Sequence, residues 1–332
     1  MTKTSLLAAT TLALLSLALS PGQAASLNRA WVSGHGTDAA GCGAPASPCR
    51  TFQYVHDNII AAGGEIDVLD PAGYGAVTIS KALSIVNDGV GTAGVQAPVP
   101  QGNAITINAG PNDVVTLRGL DIEGSGNGTT SSNGIVFNSG GGLTVVDCVI
   151  RNFTGDTVVF GSGVLIRPTS GTMTFLLSNV TASNNQFAGI AVYTPSSSQT
   201  PTVTGVIDRV TAVDNLKGVY VNFNGPATIA VSNSVANDNN LNPFGDAQSA
   251  QDGIVVRGSA KVSIDKTSAS GNYNGLVVVT PATVWLGRSV IASNAGDGII
   301  NSGGAVYTYG DNRINGNGTD VSGALNTADK PQ

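Results

Sequence analysis

The chain has 332 residues, 44 of them glycine, with 11% charged and 5% aromatic residues and a formal net charge of −6. An acidic chain with no basic run excludes nucleic acid as a partner, because phosphate binding needs clustered Lys and Arg. It also disfavours an acidic polysaccharide, unless a local basic strip or a bound cation offsets the overall field.

Lys3 supplies a positive n-region, Leu6 to Leu19 an apolar run, and Gly22-Gln23-Ala24 a small-x-small cleavage pattern. The run is short for a bilayer span, so residues 1–24 are predicted to be a secretory signal peptide cleaved near Ala24. No later stretch is long and apolar enough to cross a membrane. The mature chain is therefore expected to be soluble and secreted, extracellular or periplasmic, with 14 basic and 21 acidic residues.

Residues 25–63 are predicted to form an N-terminal loop and a capping helix. Cys42 and Cys49 lie seven apart in GCGAPASPCR, and export favours their pairing as a disulfide. Thr51 can cap a short helix whose apolar face is Phe52, Val55, Ile59 and Ile60, with Gly63-Gly64 as its stop. His56 on that helix reads as structural or exposed. Strand EIDVLD, residues 65–70, then enters the first coil of a repeat.

The repeat is written in glycines. Gly134, Gly163, Gly189, Gly218, Gly253, Gly275 and Gly298 each precede aliphatic residues, at spacings of 29, 26, 29, 35, 22 and 23. A second column keeps step: CVIRN at 148, NVTASN at 179, RVTAVDN at 209, NSVANDN at 233, KTSASGN at 266 and SVIASN at 289. Each period holds short β-branched runs divided by Asn, Asp, Gly and Ser, which turn the chain without a helix. That pattern predicts an all-β fold, a parallel β-helix over residues 64–322 of roughly ten coils stacked about 4.8 Å apart. A β-sandwich also has many short strands but does not demand columns this regular. Residues 323–332 read as a trailing C-terminal tail, and the lone Cys148 as a buried small hydrophobe.

The stretch PCRTFQYV…AAGGEIDVLDPAGYGAVTISKALSIV resembles the opening of secreted right-handed parallel β-helix proteins of the pectin-lyase-like superfamily. The segment YGDNRINGNGTDVSGAL is similar to the closing coil of bacterial members without assigned activity. The resemblance implies the fold and the capping helix. It does not imply one function, because this fold hosts lyases, hydrolases, epimerases, adhesins and tailspikes.

Catalytic signatures are thin. Gly34-His35-Gly36 resembles a polygalacturonase triplet, but it precedes the solenoid, no Asp-Asp pair occurs, and Arg313-Ile314 is followed by Asn315. Val206-Ile207-Asp208-Arg209 lacks the Trp and His of the similar lyase motif, and Arg167-Pro168 lacks a second, correctly spaced arginine. There is no Cys/His cluster, HExxH or P-loop, so no metal or cofactor is expected; Ca²⁺ at turn aspartates has no loop motif behind it.

One constellation remains. Matching the second column puts Asp147, Ser178, Asp208, Ser232, Asp265 and Arg288 in one row, and Cys148, Asn179, Arg209, Asn233, Lys266 and Ser289 in the next. Aspartates on alternate coils lie about 9–10 Å apart, near the outer limit for inverting glycosidases, and Arg209 or Lys266 could grip a sugar acid. The plainer reading is that Ser and Asp alternate because stacked like charges repel. The candidate glycan-binding residues are Asp208, Arg209, Asp265, Lys266 and Arg288, with Tyr193 and Tyr220 as aromatic platforms and Phe244 and Asp246 as loop candidates. Two functions stay open: a non-catalytic glycan-binding or structural rod, and a polysaccharide lyase or glycoside hydrolase with a diverged site acting on an extracellular, pectin-like polymer.

Overall fold

The computed structural model describes residues 26–124, 132–155, 161–241 and 251–328; the predicted signal peptide lies outside them. The first described element is a strand, Leu27–Val32, that pairs parallel with Ile60–Val68 and so covers the first coil. The segment expected as a loop therefore contributes a strand of its own. The Cys42–Cys49 disulfide closes the turn that follows. Asp38 accepts from the Thr51 hydroxyl and from the N–H groups of Arg50 and Thr51. This fixes Thr51 to cap helix Phe52–Asn58, its side chain accepting from the Tyr54 N–H.

The helix is shorter than its apolar pattern predicts. Ile59 is the C-cap, Ile60 already begins the next strand, and Gly63 and Gly64 lie inside that strand instead of stopping the helix. Ile60 is needed in the core, where it is buried, and Gly64 must carry no side chain because a Cβ there would sit 2.6 Å from Ile60 Cγ1. His56 is buried; its Nε2 accepts from the Ser80 N–H and its Nδ1 faces Asp57. It anchors the cap to the first coil.

Each coil contributes to three stacks of parallel strands. The first carries the glycine column, from Val77–Ile79 through Ile135–Ser139, Val164–Ile166 and Ala188–Tyr193 to Asp297–Ser302 and Thr319–Ser322. The second runs from Leu27–Val32 through Gly142–Val146, Thr172–Ser178 and Thr202–Asp208 to Thr283–Gly287, Ala305–Thr308 and Asn326–Thr327. Strands Lys217–Ser232 and Asp252–Asp265 run through both stacks. The third holds short strands of two to four residues, such as Val149–Arg151, Thr181–Ser183 and Thr211–Val213. The inward side chains form one apolar cluster from Ala30 to Val306. Asn326–Thr327, expected as trailing chain, adds a last strand onto Tyr307–Thr308.

Two columns explain the repeat. Asn185, Asn215, Asn239, Asn272 and Asn294 are buried, and each Oδ1 accepts both the backbone N–H and the side-chain N–H of its counterpart one coil earlier, save that Asn185 takes the N–H of Phe153. Unpaired, each such donor would cost about 1–3 kcal/mol. The column glycines make room for this ladder. A Cβ on Gly218 would lie 2.6 Å from the Gly253 carbonyl oxygen and 2.9 Å from Asn239 Nδ2, and the same close approach recurs at Gly189, Gly253 and Gly275.

Candidate functional site

The strand registers place Val146, Ser178, Asp208, Ser232, Asp265 and Gly287 in one row. Asp147 and Arg288, expected there, belong instead to the following corner with Asn179, Arg209, Asn233 and Lys266. All six corner residues are left-handed, with φ of 55°, 49°, 54°, 52°, 48° and 47°. What they share is a backbone requirement and no side-chain chemistry, so matching by residue type slid by one position. Cys148 and Ser289 move likewise, to the row of Ser234 and Thr267, and the Thr267 N–H donates to the Ser289 hydroxyl.

Asp208 and Asp265 remain two coils apart, but their oxygens are engaged. Asp208 accepts from Asn233 and from the Ser232 hydroxyl and pairs with Arg209 at 2.6 Å; these bonds, the Asn233 one foremost, hold its carboxyl below the usual carboxylate value. Arg209 also donates to the Ser178 hydroxyl. Arg288 grips Asp265 with two parallel bonds of 2.8 and 2.5 Å. A general acid needs a proton near neutral pH, and Asp208 is instead held in its ionised form. Lys266 is exposed at the same corner.

Tyr193 and Tyr220 lie elsewhere, on the outward side of the glycine-bearing stack. Tyr220 is 7% exposed and packs edge-on against Phe187, with ring centroids 5.1 Å apart. It belongs to a second apolar cluster with Val136, Leu165, Ala191, Val255 and Val277, the residues two beyond each column glycine. Burial raises its phenol pKa, and its hydroxyl accepts from Asn222 at 3.1 Å.

Four residues beyond the column glycines runs a different row: Asn138, Arg167, Tyr193, Asn222 and Arg257. Asn138 accepts from Arg167 Nε at 2.9 Å. Burial pushes the Arg167 guanidinium down from its ordinary pKa. Arg29, Arg118, Arg151, Arg209 and Arg288 each sit on a carboxylate; among the described residues Arg50, Arg167, Arg257 and Arg313 have none within ion-pair distance, and of these Arg167 and Arg257 share this row. At the edge of this face, one residue before the glycines, Lys217 and Asp252 form a buried pair at 3.2 Å, and Asn274 donates to Asp252. Arg257 was not a sequence candidate, and Arg167 drew notice only as a fragment of a lyase motif. Reading glycine plus four down the column would have found both.

Phe244 and Asp246 lie outside the described residues. His35 occupies an exposed turn beside Asp70, whose carboxylate is held below its usual value by Ser33, Gly34 and Tyr74 and ties the N-terminal loop to the first coil. Asp38, Cys42 and Cys49 come close enough to share an ion, but the two sulfurs are bonded to each other and Asp38 is spent on the helix cap. Among the described residues no helix is long and apolar enough to cross a membrane.

The family model of the right-handed β-helix region matches residues 162–329, half of the chain. The chain belongs to that family. Comparison with curated proteins finds no match. Among solved structures, this β-helix is similar to the GH136 lacto-N-biosidase from Eubacterium ramulus, with a TM-score of 0.58, 11% identity, and coverage of 90% of this chain and 68% of that one. It is similar to pectate lyase Pel9A, with a TM-score of 0.51, 15% identity, and coverage of 92% and 79%. It is also similar to the A-module of mannuronan C-5 epimerase AlgE4 from Azotobacter vinelandii, with a TM-score of 0.50, 12% identity, and coverage of 80% and 91%. At these identities the likeness is one of fold: the right-handed parallel β-helix.

Proposed function

We propose that the protein is a secreted, non-catalytic β-helix that binds an extracellular acidic polysaccharide along its glycine-strand face. The observation that carries this reading is the row Arg167–Tyr193–Asn222–Arg257. Its chain is acidic overall, so a uronate polymer needs a local basic strip, and two arginines without carboxylate partners supply one. They are three coil steps apart, about 14 Å along the axis, with an aromatic ring and an amide between them. An extended glycan laid parallel to the axis could present carboxylates to both guanidinium groups and a sugar face to Tyr193. The signal-like N-terminus and the Cys42–Cys49 disulfide support export.

The lyase or hydrolase alternative needs a base or acid facing this row. The nearest candidates are disfavoured: Tyr220 has a raised pKa, and Asp252 is buried against Lys217 and Asn274. The test is a panel of acidic and neutral polysaccharides incubated with the mature protein, with binding measured alongside new reducing ends and the ultraviolet absorbance of unsaturated uronates. The expected result is binding of polyuronates and no product. Absorbance that grows with time would make the protein a lyase, and reducing ends without absorbance would make it a hydrolase.

A further inference from the structure

We propose a second binding site, for a neutral pyranose chain, on the outward face of the last coils. It lies on the second strand stack and is independent of the arginine row. Along one outward column the side chains grow from Ala230 to Ser263, Trp285 and Tyr307. The Trp285 and Tyr307 rings stack, with centroids 5.8 Å apart and planes 15° from parallel, and both remain partly open to solvent. In the neighbouring column the row of Asp208, Ser232 and Asp265 ends in Gly287. The missing side chain matters there. A Cβ on Gly287 would meet the Tyr309 ring at 3.0 Å, the Asp311 carboxylate at 3.6 Å and the Asp265 carboxylate at 3.7 Å.

That gap is the floor of a cleft of about 410 Å³ bordered by Asp265, Arg288, Tyr309 and Asp311. A second cleft of about 390 Å³ adjoins it through Ser263 and Tyr309 and reaches Lys261 and Trp285. Flat aromatic walls offer a surface to the C–H face of a pyranose, and the carboxylate and hydroxyl oxygens can take its equatorial hydroxyls. The charges here balance. Arg288 is paired with Asp265, and Lys261 at the border of one cleft is matched in formal charge by Asp311 at the border of the other. The site has no excess cation for a uronate, which is why a neutral sugar fits it.

The sequence contains two tryptophans, so Trp31→Phe leaves Trp285 as the sole indole reporter. The mature W31F protein would be titrated with neutral β-1,4-linked gluco- and manno-hexaoses and with an oligogalacturonate hexamer, following indole emission. The expected result is a saturable change with a neutral hexaose. Its affinity should fall about tenfold or more on Tyr309→Ala and stay unchanged on Arg167→Gln/Arg257→Gln, with thermal unfolding confirming that each variant is folded. No emission change with either neutral hexaose up to millimolar concentration would overturn the proposal. So would a change produced by oligogalacturonate alone. Loss of polyuronate binding in the double arginine variant bears only on the first face, so the two readings fail separately.

Discussion

Cys148 is 1% exposed, its sulfur donates to the carbonyl of Val146, and burial pushes its thiol up to about 12. Thiolate is the reactive form, so native protein at mildly alkaline pH should give no reaction with a thiol reagent, and denatured protein should give one equivalent. Rapid labelling of the folded protein would show that the core opens around this corner. At the same scale, single backbone angles decide what the functional rows contain. The corner after the second strand stack demands a left-handed residue, and Asn, Asp, Arg and Lys all fill it. Arg209, Lys266 and Arg288 are there because the corner is on the surface. From that corner Arg209 reaches Ser178 and Arg288 reaches Asp265, so the corner side chains tie onto the strand row beside them.

At the scale of elements, the glycine column and the asparagine ladder are one device. The ladder satisfies buried donors between coils, and the glycines let neighbouring backbones approach closely enough to form it. Gly218→Ala should therefore destabilise the fold by about 2 kcal/mol, as overpacking does in a filled core. Gly73→Ala is the control, because nothing lies within 4 Å of a Cβ there. Equal unfolding midpoints for the two variants would contradict the packing account. Both columns were legible in the sequence, since a stacked backbone repeats its constraints at every coil. Features that occur once were not. The helix end at Asn58 depended on Ile60 being needed under the first coil. The outward placement of Trp285 in TVWLG follows from strict alternation, yet it yields no repeated column to notice.

For the whole molecule, the strand Leu27–Val32 with its helix covers one end of the solenoid, while Asn326–Thr327 extends the other. Such covering blocks edge-to-edge pairing of rods. The fold could be read from the periods alone, whereas the candidate site could be read only in part. Tyr193 and Tyr220 were found by their place in the glycine column, but the arginines beside them were hidden because nothing in one sequence distinguishes a paired from an unpaired arginine. That difference is electrostatic and becomes visible only once Arg209 and Arg288 are seen on Asp208 and Asp265. The most direct test of the central claim is equilibrium binding of an oligogalacturonate to the mature protein and to Arg167→Gln/Arg257→Gln, at low and physiological salt. Binding that weakens with salt in the parent protein and falls at least about tenfold in the variant is the predicted result. Equal affinity of the two proteins would mean that the arginine row does not hold the polymer.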